Sequence, residues 1–326
     1  MPIRSILVAN GGRKTKQRSG RPGGRPGGRP QGRPRKATAR DWIGGARLRT
    51  LTLGVVPVLL GTAVAYLDGG WDLGIALLAL AVAVFLQVGV NYSNDYSDGV
   101  RGTDEFRVGP ARLTGAGIAK PRTVLTVALT FFGLAAVAGI VIVVLTGTWW
   151  LLAVGAAAIV AAWFYTGGKK PYGYNALGEV FVFVFFGLVA VLGTEFVQIG
   201  RVSLNGLVAA LMAGFFSCAV LMVNNIRDID EDTRAGKRTL AVVLGQGAAR
   251  TLYVVFLLLP YVALIWFVLL YFRTGYTYFT LLMALPAAII GATSTKPREL
   301  ITALQLSSFS ALAFGIVLAV ALAIQP

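Results

Sequence analysis

From residue 47 onward, long apolar runs alternate with short polar loops. Nine runs reach or approach the roughly 20 residues a helix needs to cross a bilayer. They are 47–67, 73–93, 122–146, 149–166, 178–199, 204–225, 248–272, 276–293 and 300–323. In lipid a helix satisfies its own backbone without a neighbour. The pattern therefore predicts an all-α, polytopic membrane protein with nine transmembrane helices. The start of the chain reads differently. GRKTKQRSGRPGGRPGGRPQGRPRK places Arg21, Arg25, Arg29 and Arg33 at four-residue intervals among Gly and Pro. No packed element is expected there, which divides the chain into a disordered basic tail, 1–40, and a membrane domain, 41–326.

Composition agrees. The chain is 56% apolar and 13% charged, about half the charge of an ordinary soluble domain. The net charge of +16 belongs mostly to residues 1–49, where fourteen Lys/Arg face one acid, Asp41. That tail suits either adhesion to anionic membrane lipids or a plain topology anchor. It has no interleaved aromatics, so no nucleic-acid partner is expected. Of the 30 Lys/Arg, all but Arg201 and Arg273 fall in the tail or in and beside the loops after the second, fourth, sixth and eighth runs. By the positive-inside rule, the N-terminus and those loops are cytoplasmic, and the C-terminus lies outside the cell membrane.

Histidine is absent and Cys218 is the only cysteine. His-based acid–base catalysis and His-ligated zinc are excluded. A metal site must use oxygen ligands, which suit Mg²⁺, Mn²⁺ or Ca²⁺.

Two apolar runs end in acids. Residues 91–106 read NYSNDYSDGVRGTDEF, and 224–238 read NNIRDIDEDTRAGKR. These close the second and sixth runs, on the same side, and suggest two similar four-helix halves plus a ninth helix. Repeat-built membrane proteins often place their site at such a paired position. Asn91, Asn94, Asp95 and Asp98 share one helix face, and Asn225, Asp228 and Asp232 share another. Gly99 and Gly102 are expected to break the first helix, and Asp104 to fold back on a loop.

Two such faces repel each other without cations. Divalent ions fit the deficit, with a diphosphate as further ligand. Arg101, Arg107, Arg112, Arg227, Arg234, Lys237 and Arg238 suit the phosphate charge, as do Lys169 and Lys170 after the fourth run. The plainer alternative is that these acids and bases form loop salt bridges. A metal–diphosphate site in an oily protein points to an isoprenyl diphosphate, whose tail belongs in lipid. Metal stabilises the departing diphosphate, and aromatics stabilise the allylic cation. A cation transporter would need acids at the membrane midplane. A phosphatidyl-type transferase has an Asp-Gly-x-x-Ala-Arg pattern that SDGVRGTD does not match. A non-catalytic scaffold would tolerate loss of one Asp. Glu179 is expected to cap a helix and Glu195 to be structural. VFVFVFFG in the fifth run is expected to pack helices or face lipid, and Tyr165, Tyr172 and Tyr174 fit either the site or the membrane interface.

NDYSD, RGTD and NNIRDIDEDTRAGKRTL together resemble the UbiA superfamily of intramembrane aromatic prenyltransferases, over about residues 40–326. Asn94, Asp95 and Asp98 match its first Asp-rich motif, and Asp228 and Asp232 its second. Within the superfamily, Gly109-Pro110-x-Arg112-Leu113 and Tyr165-Thr-Gly-Gly168 are most similar to the branch that prenylates 1,4-dihydroxy-2-naphthoate in menaquinone synthesis, rather than the 4-hydroxybenzoate branch. The resemblance implies nine helices and Mg²⁺ held on a polyprenyl diphosphate by Asp95, Asp98, Asp228 and Asp232, helped by Asn91 and Asn94. It implies that Arg101, Lys169, Arg227 and Lys237 bind phosphate, with Lys170 beside them, and that Asp104 and Arg112 position the acceptor. The expected product is a demethylmenaquinol.

Overall fold

The chain is described by a computed structural model over residues 37–103 and 112–325. Asp104 and almost all of the 1–40 tail lie outside the described residues. Among these, regular structure is helical throughout, and the one isolated bridge pairs Asn175 with Arg238.

Helix α1 (Ala39–Ala46) starts at a capping box: the Thr38 hydroxyl accepts from the Asp41 amide, and the Asp41 carboxylate accepts from the Thr38 amide. Such reciprocal bonds satisfy amides that the first turn leaves open. A bend of 46° then leads into α2 (Thr52–Leu67). The remaining helices are α3 (Leu73–Arg101), α4 (Pro121–Thr146), α5 (Leu151–Phe164), α6 (Gly178–Ile199), α7 (Leu204–Arg227), α8 (Ile229–Arg234), α9 (Leu240–Leu270), α10 (Leu281–Thr293) and α11 (Pro297–Ala323).

Among the described residues, seven helical segments are long and apolar enough to cross a membrane, or eight if the bent pair of α1 and α2 counts as one span. The fourth expected span, 149–166, is a helix of 14 residues. At 1.5 Å per residue it is about 21 Å long, short of a 30 Å hydrocarbon core. The nine-span count therefore goes beyond what length and apolarity establish. Large apolar side chains such as Val137, Leu145, Leu269 and Leu282 point outward and exposed, as expected where lipid is the solvent.

The deepest packing joins α7, α9 and α11. The rings of Phe216, Tyr261 and Phe314 meet edge to face, with Phe216 and Phe314 centroids 5.0 Å apart. The Tyr261 hydroxyl is satisfied by Thr280 at 2.9 Å and Ser310 at 3.0 Å, so this buried polar atom carries no unpaired cost.

The two ends of the bundle differ. Asp72, just before α3, donates its amide to Gln198 near the end of α6, and Trp150 packs on Phe196 at 5.3 Å. Exposed Tyr66, Trp71, Trp149 and Trp150 gather at this end, an arrangement typical of a membrane–water interface. The acidic runs lie at the opposite end of α3 and α7.

Helix α3 passes through Gly99 without breaking and stops at Gly102, whose φ of 73° closes the helix in the left-handed region. That conformation suits glycine, which has no Cβ to clash. Only the second of the two expected breakers acts. At the other acidic run α7 ends at Arg227, Asp228 serves as its cap, and Asp232 belongs to the short α8.

Candidate active site

A cavity of about 900 Å³ runs from the acidic end into the bundle between α3, α4, α5 and α6. Its polar end is lined by Asn91, Asn94 and Asp98 from α3, and by Asn224, Asn225, Asp228 and Asp232 from α7 and α8. Elsewhere the wall is largely apolar. Phe181, Phe185 and Phe186 of α6 line it, beside Trp150 and Val189. The Phe-rich run packs helices as expected, Phe183 lying 5.1 Å from Phe215 of α7, and in addition faces the cavity. A π-helical stretch, Phe183–Val189, turns the register of α6 at this point; such bulges often occur at functional sites.

The first acidic run faces two ways. Asp98 faces the cavity, where it pairs with Arg112, accepts from the Tyr174 hydroxyl, and lies 3.4 Å from Lys237 Nζ. Asn94 accepts from the Thr166 hydroxyl at 2.7 Å. Asn91 donates to Thr50 at 3.2 Å and to the Ala46 carbonyl at 2.9 Å. Asp95 faces away from the cavity, toward the Leu113–Thr114 turn.

In the second run Arg227 holds Asp228 through two bonds of 2.6 Å, and Lys237 lies 3.9 Å from Asp232. Lys237 thereby spans the acids of both runs, 4.7 Å above the Tyr174 ring. A cation over an aromatic face is attracted by the ring quadrupole. Burial, then the Asp98 charge, pushes the Tyr174 phenol above its ordinary range, so it remains a donor.

The other expected cations are placed differently. Arg101 donates to the carbonyls of Thr166 and Gly168 and braces that loop. Lys169 and Lys170 are exposed on the same loop, outside the cavity lining. Glu179 accepts from Asn225 at 3.0 Å and so orients a cavity residue. Glu195, at the far end, accepts from the Ser203 amide at the start of α7.

Among the wall residues that escaped sequence reasoning are Arg47, Thr50 and Gln87. Gln87 donates to Thr50 at 3.2 Å, while its Oε1 is buried without a hydrogen-bond partner. Gln87 stands four residues before Asn91, so the helical period that joined Asn91 to Asp98 extends to it.

The donor set suits a hard divalent ion. The acids and carboxamides at the polar end offer oxygen, beside the cations Lys237 and Arg112, and no group of three acids is found there among the described residues. Mg²⁺ is usually held by one or two carboxylates together with substrate phosphate oxygens.

Residues 54–300 match the profile of the UbiA prenyltransferase family. The chain belongs to this family. It is 53% identical over 220 residues to 1,4-dihydroxy-2-naphthoate octaprenyltransferase of Mycobacterium tuberculosis, covering 67% of this chain and 74% of that protein. To the protein of the same name from Mycobacterium leprae it is 51% identical over 220 residues, with 67% and 74% covered. A solved UbiA homolog from Archaeoglobus fulgidus bound to GPP and Mg²⁺ superposes with a TM-score of 0.62 over 85% of this chain and 99% of that one. At 16% identity this is a likeness of fold. In this UbiA family member the two Asp-rich motifs therefore flank one chamber, with Asp95 alone of the four motif acids buried against a neighbouring turn instead.

Proposed function

We propose that this chain transfers a polyprenyl group from an isoprenyl diphosphate to 1,4-dihydroxy-2-naphthoate, releasing diphosphate and CO₂. The observation that carries this reading is the single chamber, acidic and cationic at one end and apolar along its length. Relatives at up to 53% identity named for the naphthoate reaction support the acceptor.

The diphosphate belongs at the polar end and the isoprenoid tail against Phe181, Phe185 and the α4–α5 wall. Asp98, Asp228 and Asp232, with Asn91 and Asn94, would hold Mg²⁺; Mn²⁺ suits the same donors. When bound, the ion stabilises negative charge on the leaving diphosphate. Lys237 and Arg112 are close enough to Asp98 to share that task, and Arg227 sits beside Asp228. Lys169 and Lys170, on the surface of the adjoining loop, suit attraction of the anion toward the mouth. Arg101 contributes by bracing that loop, and Asp104 is left with acceptor positioning.

The C–O bond to diphosphate breaks, leaving an allylic cation facing aromatic walls. The ring carbon bearing the carboxylate forms the new C–C bond. The carboxylate then leaves as CO₂ and its bonding pair returns to the ring. No proton is removed from that carbon, so the absence of histidine is no obstacle. Gln87, Thr50 and Arg47 supply the polar groups along the wall for an acceptor's hydroxyls and carboxylate. The product is a demethylmenaquinol.

The finer topology follows the same reading. Nine crossings, with α5 as a short fourth, put the site and the N-terminus in the cytoplasm and the C-terminus outside the cell membrane, consistent with the Lys/Arg distribution. Purified protein in lipid, given a labelled polyprenyl diphosphate and the naphthoate, should release CO₂ and prenylated product in equal amounts. Transfer to 4-hydroxybenzoate instead would overturn the acceptor.

A further inference from the structure

Asp95 sits inside the first acidic motif yet serves a different surface. Its Oδ2 accepts from the Leu113 amide and its Oδ1 from the Thr114 amide, each at 2.8 Å. The residue is 2% exposed. Two charge-assisted bonds from one turn of chain occupy both oxygens and hold that turn in place. The neighbouring residue is Arg112, whose guanidinium pairs with Asp98 and donates to the Asn94 carbonyl at 3.0 Å.

A second feature supports the same seat. One helical turn beyond Asp95, a methyl added at Gly99 would lie 2.5 Å from Thr114 Cγ2 and 2.9 Å from the Gly115 nitrogen. Backbone meets side chain there with no room to spare. Leu113 is itself buried, packed with Val88, Tyr92 and Val124. Helix α3 thus presents Asn91, Asn94 and Asp98 to the chamber, and Asp95 with Gly99 to the returning loop.

We propose that Asp95 is a positioning residue and not a metal ligand: it fastens the Leu113–Thr114 turn to α3 and so fixes Arg112 against Asp98. This rests on the prenyl-transfer reading and gives two acids of one motif separate tasks. Loss of Asp95 leaves the chamber donors in place and frees the loop that carries Arg112. The defect should fall on binding of the diphosphate, and it should vanish when Arg112 is already gone.

The test uses the full chain in lipid nanodiscs, as wild type, Asp95→Asn, Asp98→Asn, Arg112→Ala, Gly99→Ala and the double variant Asp95→Asn/Arg112→Ala. Mn²⁺ binding is read by electron paramagnetic resonance with inorganic pyrophosphate present. Amide exchange is followed over residues 112–116, and KM for the prenyl diphosphate is measured separately from kcat. Mn²⁺ affinity should stay near wild type in Asp95→Asn and fall at least about tenfold in Asp98→Asn. The Leu113 and Thr114 amides should exchange faster in Asp95→Asn. KM should rise in that variant, and the double variant should match Arg112→Ala within about twofold. Gly99→Ala, which displaces the turn and keeps every acid, should raise KM in the same way and covers the case in which Asp95→Asn does not fold.

Loss of Mn²⁺ from Asp95→Asn to the extent seen in Asp98→Asn would overturn the proposal, as would multiplying effects in the double variant. If wild type transfers no prenyl group, the reaction reading fails. The clamp is then decided by amide exchange and Mn²⁺ binding alone: unchanged exchange at 113 and 114 overturns it.

Discussion

The ammonium of Lys237 lies 3.4 Å from Asp98, across 139 residues of chain. The same ammonium is 3.9 Å from Asp232. One buried cation therefore joins both acidic runs at the end of a single side chain. Removing the sole partner of a buried ion costs about 3 kcal/mol or more; Asp98 keeps Arg112 and Tyr174, so the loss here is smaller. Lys237→Ala should lower thermal stability accordingly. Mg²⁺ should restore more stability to this variant than to wild type, because the ion takes over the missing charge. Thermal unfolding with and without Mg²⁺ checks this; equal Mg²⁺ effects on both proteins would contradict it.

Asp98 and Asp228 face the chamber from separate helices. Asp98→Asn and Asp228→Asn should each lower kcat by about 10²–10³-fold, the scale of losing one group that stabilises developing charge. Insertion and helix content should be unchanged. Single-turnover transfer beside circular dichroism in lipid separates the two quantities.

Tyr174 donates to Asp98 and lies under Lys237. Its phenol is held above its ordinary value of 10.0, by burial first and then by the Asp98 charge. A phenol with a raised pKa stays protonated to higher pH. The ratio of wild-type to Tyr174→Phe activity should therefore be constant from neutral pH up to about 10. A ratio that falls toward unity between pH 9 and about 10 would mean that the phenol ionises at its ordinary value.

The apolar end should set which prenyl chains fit. Gly155 and Ala158 of α5 line the cavity nearer its Trp150 end, and Gly155→Trp should fill it. The variant should lose activity with long prenyl diphosphates more than with a ten-carbon one, measured as kcat/KM for each chain length. A uniform loss across lengths would place the tail elsewhere.

Much of this was legible in the sequence because lipid is a demanding solvent. The apolar runs marked where helices lie, and Asn91, Asn94, Asp98, Asp228 and Asp232 do reach one chamber. Helical period could not separate Asp95 from Asp98: Asp95 sits at the edge of the shared face, and its partner amides arrive from a loop 18 and 19 residues away. Arg101 looked like a phosphate ligand because charge is visible in a sequence while the carbonyls of Thr166 and Gly168 that it binds are not. The Phe-rich run looked like packing alone because a π-helical stretch moves side chains off the ordinary helical wheel. Gln87 was passed over as one polar residue in an apolar span, although its spacing from Asn91 placed it on the chamber face.

Chelation offers a further check. EDTA should stop transfer, and Mg²⁺ or Mn²⁺ should restore it, because the diphosphate then regains the charge partner that stabilises its departure. Activity that persists after exhaustive chelation would remove the metal from the reading.

The most direct measurement offers 1,4-dihydroxy-2-naphthoate and 4-hydroxybenzoate in parallel to the purified chain, with one labelled polyprenyl diphosphate, in Mg²⁺ and in EDTA. Product from the naphthoate alone, dependent on Mg²⁺ and accompanied by CO₂, is the predicted result. Product from 4-hydroxybenzoate, or naphthoate product formed without release of CO₂, would contradict it.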